Sequence, residues 1–146
     1  MYQKVLVPLD GSELAECVLS RVRSLVKDGA AQEVTLLHIV RINVPGADVD
    51  LSALREPTFA AARKYLAEKE SGLVSAGVKV RSEVIEASWP ASSIVEYAEK
   101  NGMDLIVIAT HGYTGFKKML LGSVANGVLN QSSVSVLLIR PEACRL

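Results

Sequence analysis

The sequence predicts an α/β fold, a three-layer sandwich in which helices cover both faces of a five-stranded parallel sheet. Apolar, β-branched runs alternate along the whole chain with longer segments of helical period, as in successive βα units. Three of these runs are almost continuously apolar, which is typical of strands that are buried on both faces. The length of 146 residues fits one domain with a substantial core, so we expect a single domain over residues 1–146.

The apolar runs predict strands at Lys4–Leu9, Glu33–Val40, Val78–Glu86, Asp104–Ala109 and Val134–Ile139. The amphipathic segments between them predict helices at Ser12–Lys27, Ser52–Ser75, Pro90–Lys100 and Ser123–Asn130. Asp10, Ser12 and Glu13 are able to cap the first helix, and Pro90 suits a first helical position. The stretch Arg41–Pro57 is long for a βα connection, and it is either a surface loop or a lid over a ligand.

Composition and charge exclude several classes of function. Sixteen basic residues balance 16 acidic ones, which argues against a broad electrostatic grip on nucleic acid or anionic lipid. The N-terminus enters a strand-like run without the pattern of a signal peptide, and no apolar stretch approaches ~18 residues. The two cysteines, Cys17 and Cys144, lack the second pair that a metal site needs. We therefore expect a cytoplasmic protein with no nucleic-acid or membrane partner.

The chemistry concentrates after the fourth strand. There, Ala109–Gly112 is followed by nine residues and then by Gly122–Val124, which opens the last helix. Gly112 lets the backbone turn off the strand, and Gly122 and Ser123 place free N–H donors and a hydroxyl at a helix N-terminus. The pattern predicts a phosphate site, in which His111 contacts a phosphate oxygen or packs against the sheet edge. The alternative is that Gly112 only makes a turn and Ser123 only caps the helix.

This spacing resembles the nucleotide motif of ATP-binding members of the universal stress protein family: Gly, two residues, Gly, nine residues, then Gly and Ser or Thr. Gly112, Gly122 and Ser123 match the motif, whereas Ala109 stands where its first glycine is expected. The similarity extends from VLVPLDGS near the N-terminus, through HIV at the end of the second apolar run, to VLLIR near the C-terminus. It implies a Rossmann-like sheet of strand order 3-2-1-4-5, as in adenine nucleotide alpha hydrolase-like folds.

The resemblance also implies a site. Pro8, Leu9 and Asp10 would lie beside the nucleotide, and Val40 against adenine. Asp10 would accept bonds from ribose hydroxyls or from water on Mg²⁺ held by the phosphates of ATP, or would cap the first helix. The nucleotide site implied in this way comprises Pro8, Leu9, Asp10, Val40, Ala109, His111, Gly112, Gly122, Ser123 and Val124.

The function implied is that of a nucleotide-dependent stress sensor or switch with at most slow hydrolysis, because neither a GxxxxGK[ST] loop nor a convergent general base is evident. The alternative is a universal stress domain that binds no nucleotide and acts as an interaction module, which Ala109 favours. A receiver-type signalling domain fits poorly. Receivers need a phosphorylatable aspartate at the end of the third strand and a lysine after the fifth, but here the third strand ends at Glu86 and Arg140 and Pro141 follow the fifth. The last strand, Val134–Ile139, is a candidate sheet edge, and similar proteins form homodimers through it.

Overall fold

The computed structural model describes residues 1–41, 52–110 and 121–140. These residues form strands and helices in strict alternation: β1 (Tyr2–Pro8), α1 (Ala15–Lys27), β2 (Ala31–Val40), α2 (Ser52–Ser75), β3 (Lys79–Glu86), α3 (Pro90–Lys100), β4 (Leu105–Ala109), α4 (Ser123–Gln131) and β5 (Ser135–Ile139). All strand pairs are parallel and the order is β3-β2-β1-β4-β5. The predicted fold class and strand order are confirmed.

The core consists of two apolar layers, one on each face of the sheet. Alternate residues of a strand point to opposite faces, so Val7 and Leu36 pack with α1 and α2. Leu6 and Leu37 pack with α3 and α4 on the other face. Burial on both faces explains the continuous apolar runs of the central strands.

The first helix begins later than the sequence predicts. An Asp10 carboxylate oxygen (Oδ1) accepts the Ser12 N–H at 2.9 Å, and Gly11 has a φ of 81° in the left-handed region. These two features hold the chain in a turn, and α1 starts only at Ala15 with Leu14 as its N-cap. Asp10 therefore stabilises the turn that precedes the helix and does not cap the helix itself.

The irregular stretch after β2 is shorter than predicted, because α2 already includes Pro57. Pro57 lies inside the helix and has no N–H to donate, so the helical bond to the carbonyl four residues earlier is missing there. Residues 42–51 lie outside the described part of the chain, and the prediction of a lid falls on them.

Helices α3 and α4 approach each other closely at one glycine. A Cβ atom added at Gly127 would lie 2.6 Å from the Cβ of Ala91. We expect Gly127→Ala to lower the free energy of unfolding by about 1 kcal/mol, because overpacking of ~1–3 kcal/mol exceeds the gain in helix propensity of about 1 kcal/mol. Urea denaturation of both proteins measures the difference.

Gly72→Ala in α2 is the matched control. An added Cβ there meets only the end of the Arg23 side chain, at 3.6 Å, and Gly72 is exposed. The same substitution should stabilise the protein by roughly 0.5–1 kcal/mol at this position. Equal stabilisation by both variants would contradict the close approach of α3 and α4.

Candidate functional site

A cavity of about 910 Å³ opens at the carboxyl end of the parallel strands. Its volume lies within the ~300–1,000 Å³ range of small-molecule sites. The cavity lies where the chain winding reverses between β1 and β4, the usual position of ligand sites in open α/β sheets. Its walls come from the ends of β1, β2 and β4 and from the helices α1, α2, α3 and α4.

Pro8 weakens the pairing of β1 with β4 at this place. The Lys4 carbonyl accepts a bond from Asp104, whereas the Leu9 N–H donates to Leu37 on β2. Because backbone groups of successive residues face opposite neighbours, Pro8 faces β4, and it has no N–H to donate. In the described part of the chain, the β1–β4 register ends at Leu6↔Ile106. The two strands are therefore free to separate beyond Leu6, and the cavity occupies the resulting crevice.

The N-terminus of α4 forms the polar side of the cavity. Gly122 is its N-cap, with φ −69° and ψ 164°, and Gly122, Ser123 and Val124 all line the cavity. The first α-helical bond runs from the Asn126 N–H to the Gly122 carbonyl. The N–H groups between these two residues have no carbonyl within the helix to bond, so the first turn and its dipole favour an anion.

One detail of the predicted phosphate site is wrong. The Gly122 N–H is not a free donor, because it donates to the Thr110 carbonyl at 2.5 Å. This bond joins the end of β4 to the start of α4. Gly122 therefore fixes the position of the helix terminus, and the donors available to a ligand begin at Ser123.

Ala109 is the last residue of β4 and is in register with Ile139 of β5. No residue other than glycine has a positive φ among those described, so Ala109 has an ordinary strand backbone. The missing motif glycine is thus not required by backbone conformation. Ala109 and Thr110 both line the cavity.

The predicted site residues within the described part of the chain meet at this cavity. Its lining includes Pro8, Leu9, Asp10, Val40, Ala109, Gly122, Ser123 and Val124. His111 and Gly112 lie outside the described residues. The role of each of these residues in binding stays a prediction.

The structure adds a wall that the sequence analysis missed. Its residues come from the facing sides of α1 and α2 and from β2, and they are Ala15, Val18, His38, Ala61, Ala62 and Tyr65. The His38 and Tyr65 rings are in contact, with centroids 5.6 Å apart. The apolar period of a helix shows which of its sides faces the core. It does not show which part of that side borders a cavity, so no signal in α2 identified these residues.

An exposed hydrogen bond joins the two helices of this wall. The Glu16 carboxylate on α1 accepts a bond from Nζ of Lys69 on α2 at 2.7 Å. This bond lowers the pKa of Glu16 below its usual value. The bond joins the two helices that enclose one side of the cavity.

Two further groups with shifted pKa values lie outside the cavity lining. Burial, reinforced by a hydrogen bond to Glu83, raises the pKa of Tyr97 to about 12, and the bond from Lys100 lowers the pKa of Glu96. Neither residue lines the cavity. Among the described residues, no three His, Cys, Asp or Glu side chains form a group that could hold a metal ion. Asp10 is the one carboxylate in the described lining.

No helix in the described ranges is both long and apolar enough to cross a membrane.

Two solved structures of this fold contain adenine nucleotides. One is a universal stress protein in complex with cAMP, which is 23% identical, covers 96% of this chain and 98% of its own, and has a TM-score of 0.71. The other, from Archaeoglobus fulgidus, is in complex with dAMP. It is 20% identical, covers 94% of this chain and 98% of its own, and has a TM-score of 0.69. At these identities the likeness shows a shared fold.

The chain is also similar to known proteins over nearly its whole length. The universal stress protein MJ0577 of Methanocaldococcus jannaschii is 31% identical, with 96% of each chain covered, and the solved structure of MJ0577 superposes with a TM-score of 0.85 at 33% identity and the same coverage. Universal stress protein YxiE of Bacillus subtilis is 31% identical over 96% of this chain and 100% of its own. The model of the Universal stress protein family matches residues 1–140. The chain therefore belongs to the universal stress protein family.

Proposed function

We propose that this protein binds ATP, with Mg²⁺ held through the phosphates, and works as a nucleotide-dependent sensor or switch in the stress response. The observation that carries the proposal is the cavity at the β1–β4 crevice, where the α4 N-terminus and the Pro8–Asp10 segment face one space. The fold is known to hold adenine nucleotides in the cAMP and dAMP complexes. We propose the cytoplasm as its place of action, because ATP is available there.

The chemistry of the lining suits the parts of ATP. The first turn of α4 offers N–H donors and the Ser123 hydroxyl to phosphate oxygens. Val40 offers an apolar surface to the base, and Asp10 accepts bonds from ribose hydroxyls. Asp10 also suits a water on Mg²⁺, an ion that usually keeps several waters and is held mainly by the substrate phosphates. His111 and Gly112 complete the proposed site.

We propose that the nucleotide acts as a ligand that shifts the protein between conformations or partners. The described lining contains a single carboxylate, Asp10, and we propose that its free acceptor sites serve the ribose hydroxyls or a water on Mg²⁺. A water-activating base would need a free acceptor within hydrogen-bond reach of the attacking water. We therefore expect hydrolysis to be slow.

Calorimetric titration of nucleotide-stripped protein with ATP, with and without Mg²⁺, tests the proposal. We expect saturable binding, and GTP serves as the comparison for base preference.

Ala109 favours the second candidate, an interaction module without nucleotide, because a methyl group in place of the motif glycine leaves less room for a ligand. If the titration with ATP gives no heat of binding and circular dichroism shows that the protein is folded, the second candidate is the better description.

We also propose a homodimer that pairs β5 strands across a two-fold axis. β5 is an edge strand, and Leu137 is 36% exposed on it. Such an edge offers unpaired backbone groups to a second copy.

Leu137→Lys should convert the dimer to a monomer in light scattering, because a buried charge opposes strand pairing. Leu54→Lys on α2, at an exposed leucine remote from β5, should leave the dimer intact. A wild-type monomer, or a dimer that survives Leu137→Lys, would contradict this interface.

A further inference from the structure

The side chain of His38 connects the sheet with the cavity. It belongs to β2 and is half-buried. Its ring points to the face of the sheet that α1 and α2 cover, since it contacts Tyr65 of α2. His38 also lines the cavity.

The ring makes one well-defined polar contact. Nδ1 of His38 lies 2.7 Å from the carbonyl oxygen of Leu9. A carbonyl can only accept, so Nδ1 carries the hydrogen, and Nε2 of the neutral ring is an acceptor. The Leu9 N–H is bonded to the Leu37 carbonyl on the same strand. β2 therefore holds Leu9 by both of its backbone polar groups, one of them through a side chain.

The residue held in this way begins the turn that forms the cavity rim. Directly after Leu9, Asp10 accepts the Ser12 N–H, and Gly11 has a positive φ. A Cβ atom at Gly11 would lie 3.9 Å from Cε1 of His38, so the imidazole also packs along the turn. Asp10, Gly11 and Ser12 all line the cavity.

We infer that His38 is a positioning residue for the nucleotide site: its Nδ1–H bond to Leu9 holds the Asp10–Ser12 turn in the conformation that presents the Asp10 carboxylate to the ligand. The inference rests on the proposed function. Without the bond, the turn has other conformations available. The apparent dissociation constant then rises in inverse proportion to the population of the binding-competent turn.

Two substitutions distinguish the loss of the Nδ1–H bond from the loss of the imidazole ring. His38→Leu removes the donor. His38→Asn is the matched control, because an asparagine amide nitrogen occupies nearly the position of Nδ1 and can donate to Leu9. Calorimetric titration with ATP and Mg²⁺ should show binding about tenfold weaker for the leucine variant, the effect of one lost hydrogen bond at a buried acceptor. Binding by the asparagine variant should be close to that of the wild type.

Amide hydrogen exchange measures the turn without any ligand. The Ser12 amide, which Asp10 holds, should exchange about tenfold faster in His38→Leu and at the wild-type rate in His38→Asn. The Met103 amide, which bonds the Ala98 carbonyl at the end of α3, should not change in either variant and serves as the internal control. If the leucine variant does not fold, His38→Gln replaces it. The glutamine amide lies near the Nε2 position and not near Nδ1, so this variant also lacks the bond to Leu9.

The outcomes distinguish the two proposals. Equal ATP affinity of the wild type and the leucine variant would overturn the role of His38 and leave the nucleotide site intact. Unchanged exchange at Ser12 would also overturn it. If the wild type binds no ATP, the proposed function fails, and exchange at Ser12 still decides whether His38 holds the turn.

Discussion

Gly122→Val is expected to abolish measurable ATP binding while the protein stays folded. The valine side chain would project beside the first N–H groups of α4, where we propose that the phosphates lie. Each lost hydrogen bond to a charged group is worth about 1.5–3 kcal/mol, so the loss of two contacts weakens binding roughly 100-fold or more. Calorimetry on the nucleotide-stripped variant measures the effect.

The backbone at Gly122 makes this a clean experiment. Its φ of −69° and ψ of 164° are extended values that valine adopts readily. The stability cost should therefore be limited to the weaker N-cap, about 1 kcal/mol.

Two variants serve as controls. Gly122→Ala, with a smaller side chain, should lose less affinity than Gly122→Val. Gly72→Val, at an exposed position on α2, should bind as the wild type does. Full affinity in a folded Gly122→Val protein would rule out phosphate binding at this helix terminus.

Leu66→Ala is expected to give the largest loss of stability, about 2–5 kcal/mol in the free energy of unfolding. Leu66 is 1% exposed on α2 and packs in the layer shared with α1 and the sheet. Truncation there removes buried methyl groups and leaves a cavity. Because a small domain has a total stability of only about 5–15 kcal/mol, the midpoint of chemical denaturation should fall markedly.

A second leucine on the same helix provides the control. Leu54 is 56% exposed, and Leu54→Ala should change stability by less than about 0.5 kcal/mol. Comparable losses for both leucines would mean that α2 does not pack through Leu66. Since α2 also supplies Ala61 and Tyr65 to the cavity, the Leu66→Ala protein should regain part of its stability when ATP is added.

Much of the architecture could be predicted because burial on both faces leaves a strong mark on the sequence. The apolar, β-branched runs, three of them nearly continuous, predicted the positions of all five strands to within a few residues, and the family resemblance implied their order. The start of α1 was predicted too early, since Ser12 and Glu13 look like capping residues in isolation. A glycine with positive φ and the Asp10 carboxylate decide that boundary, and both act through three-dimensional geometry.

The candidate site was less accessible from sequence. Topology places the segments that follow strands at one sheet edge, the spacing after the fourth strand identified Ala109 and Gly122, and the family resemblance added Pro8. The bond of the Gly122 N–H to Thr110 and the bond of His38 to Leu9 join residues far apart along the chain. Neither bond leaves a periodic or compositional signal, so the sequence could not reveal them.

The missing N–H of Pro8 has a consequence for protein design. In an open parallel sheet, a crevice lies outside the carboxyl ends of the strands at the switch point, because the connections there leave toward opposite faces. Here one imino acid, placed so that it faces the strand across the switch point, ends the pairing on that side. The pairing with β2 continues on the other side, to Pro8↔Leu37. A designer who wants a deeper opening at such a switch point can therefore place one proline there, which removes a single backbone N–H and keeps every strand at full length.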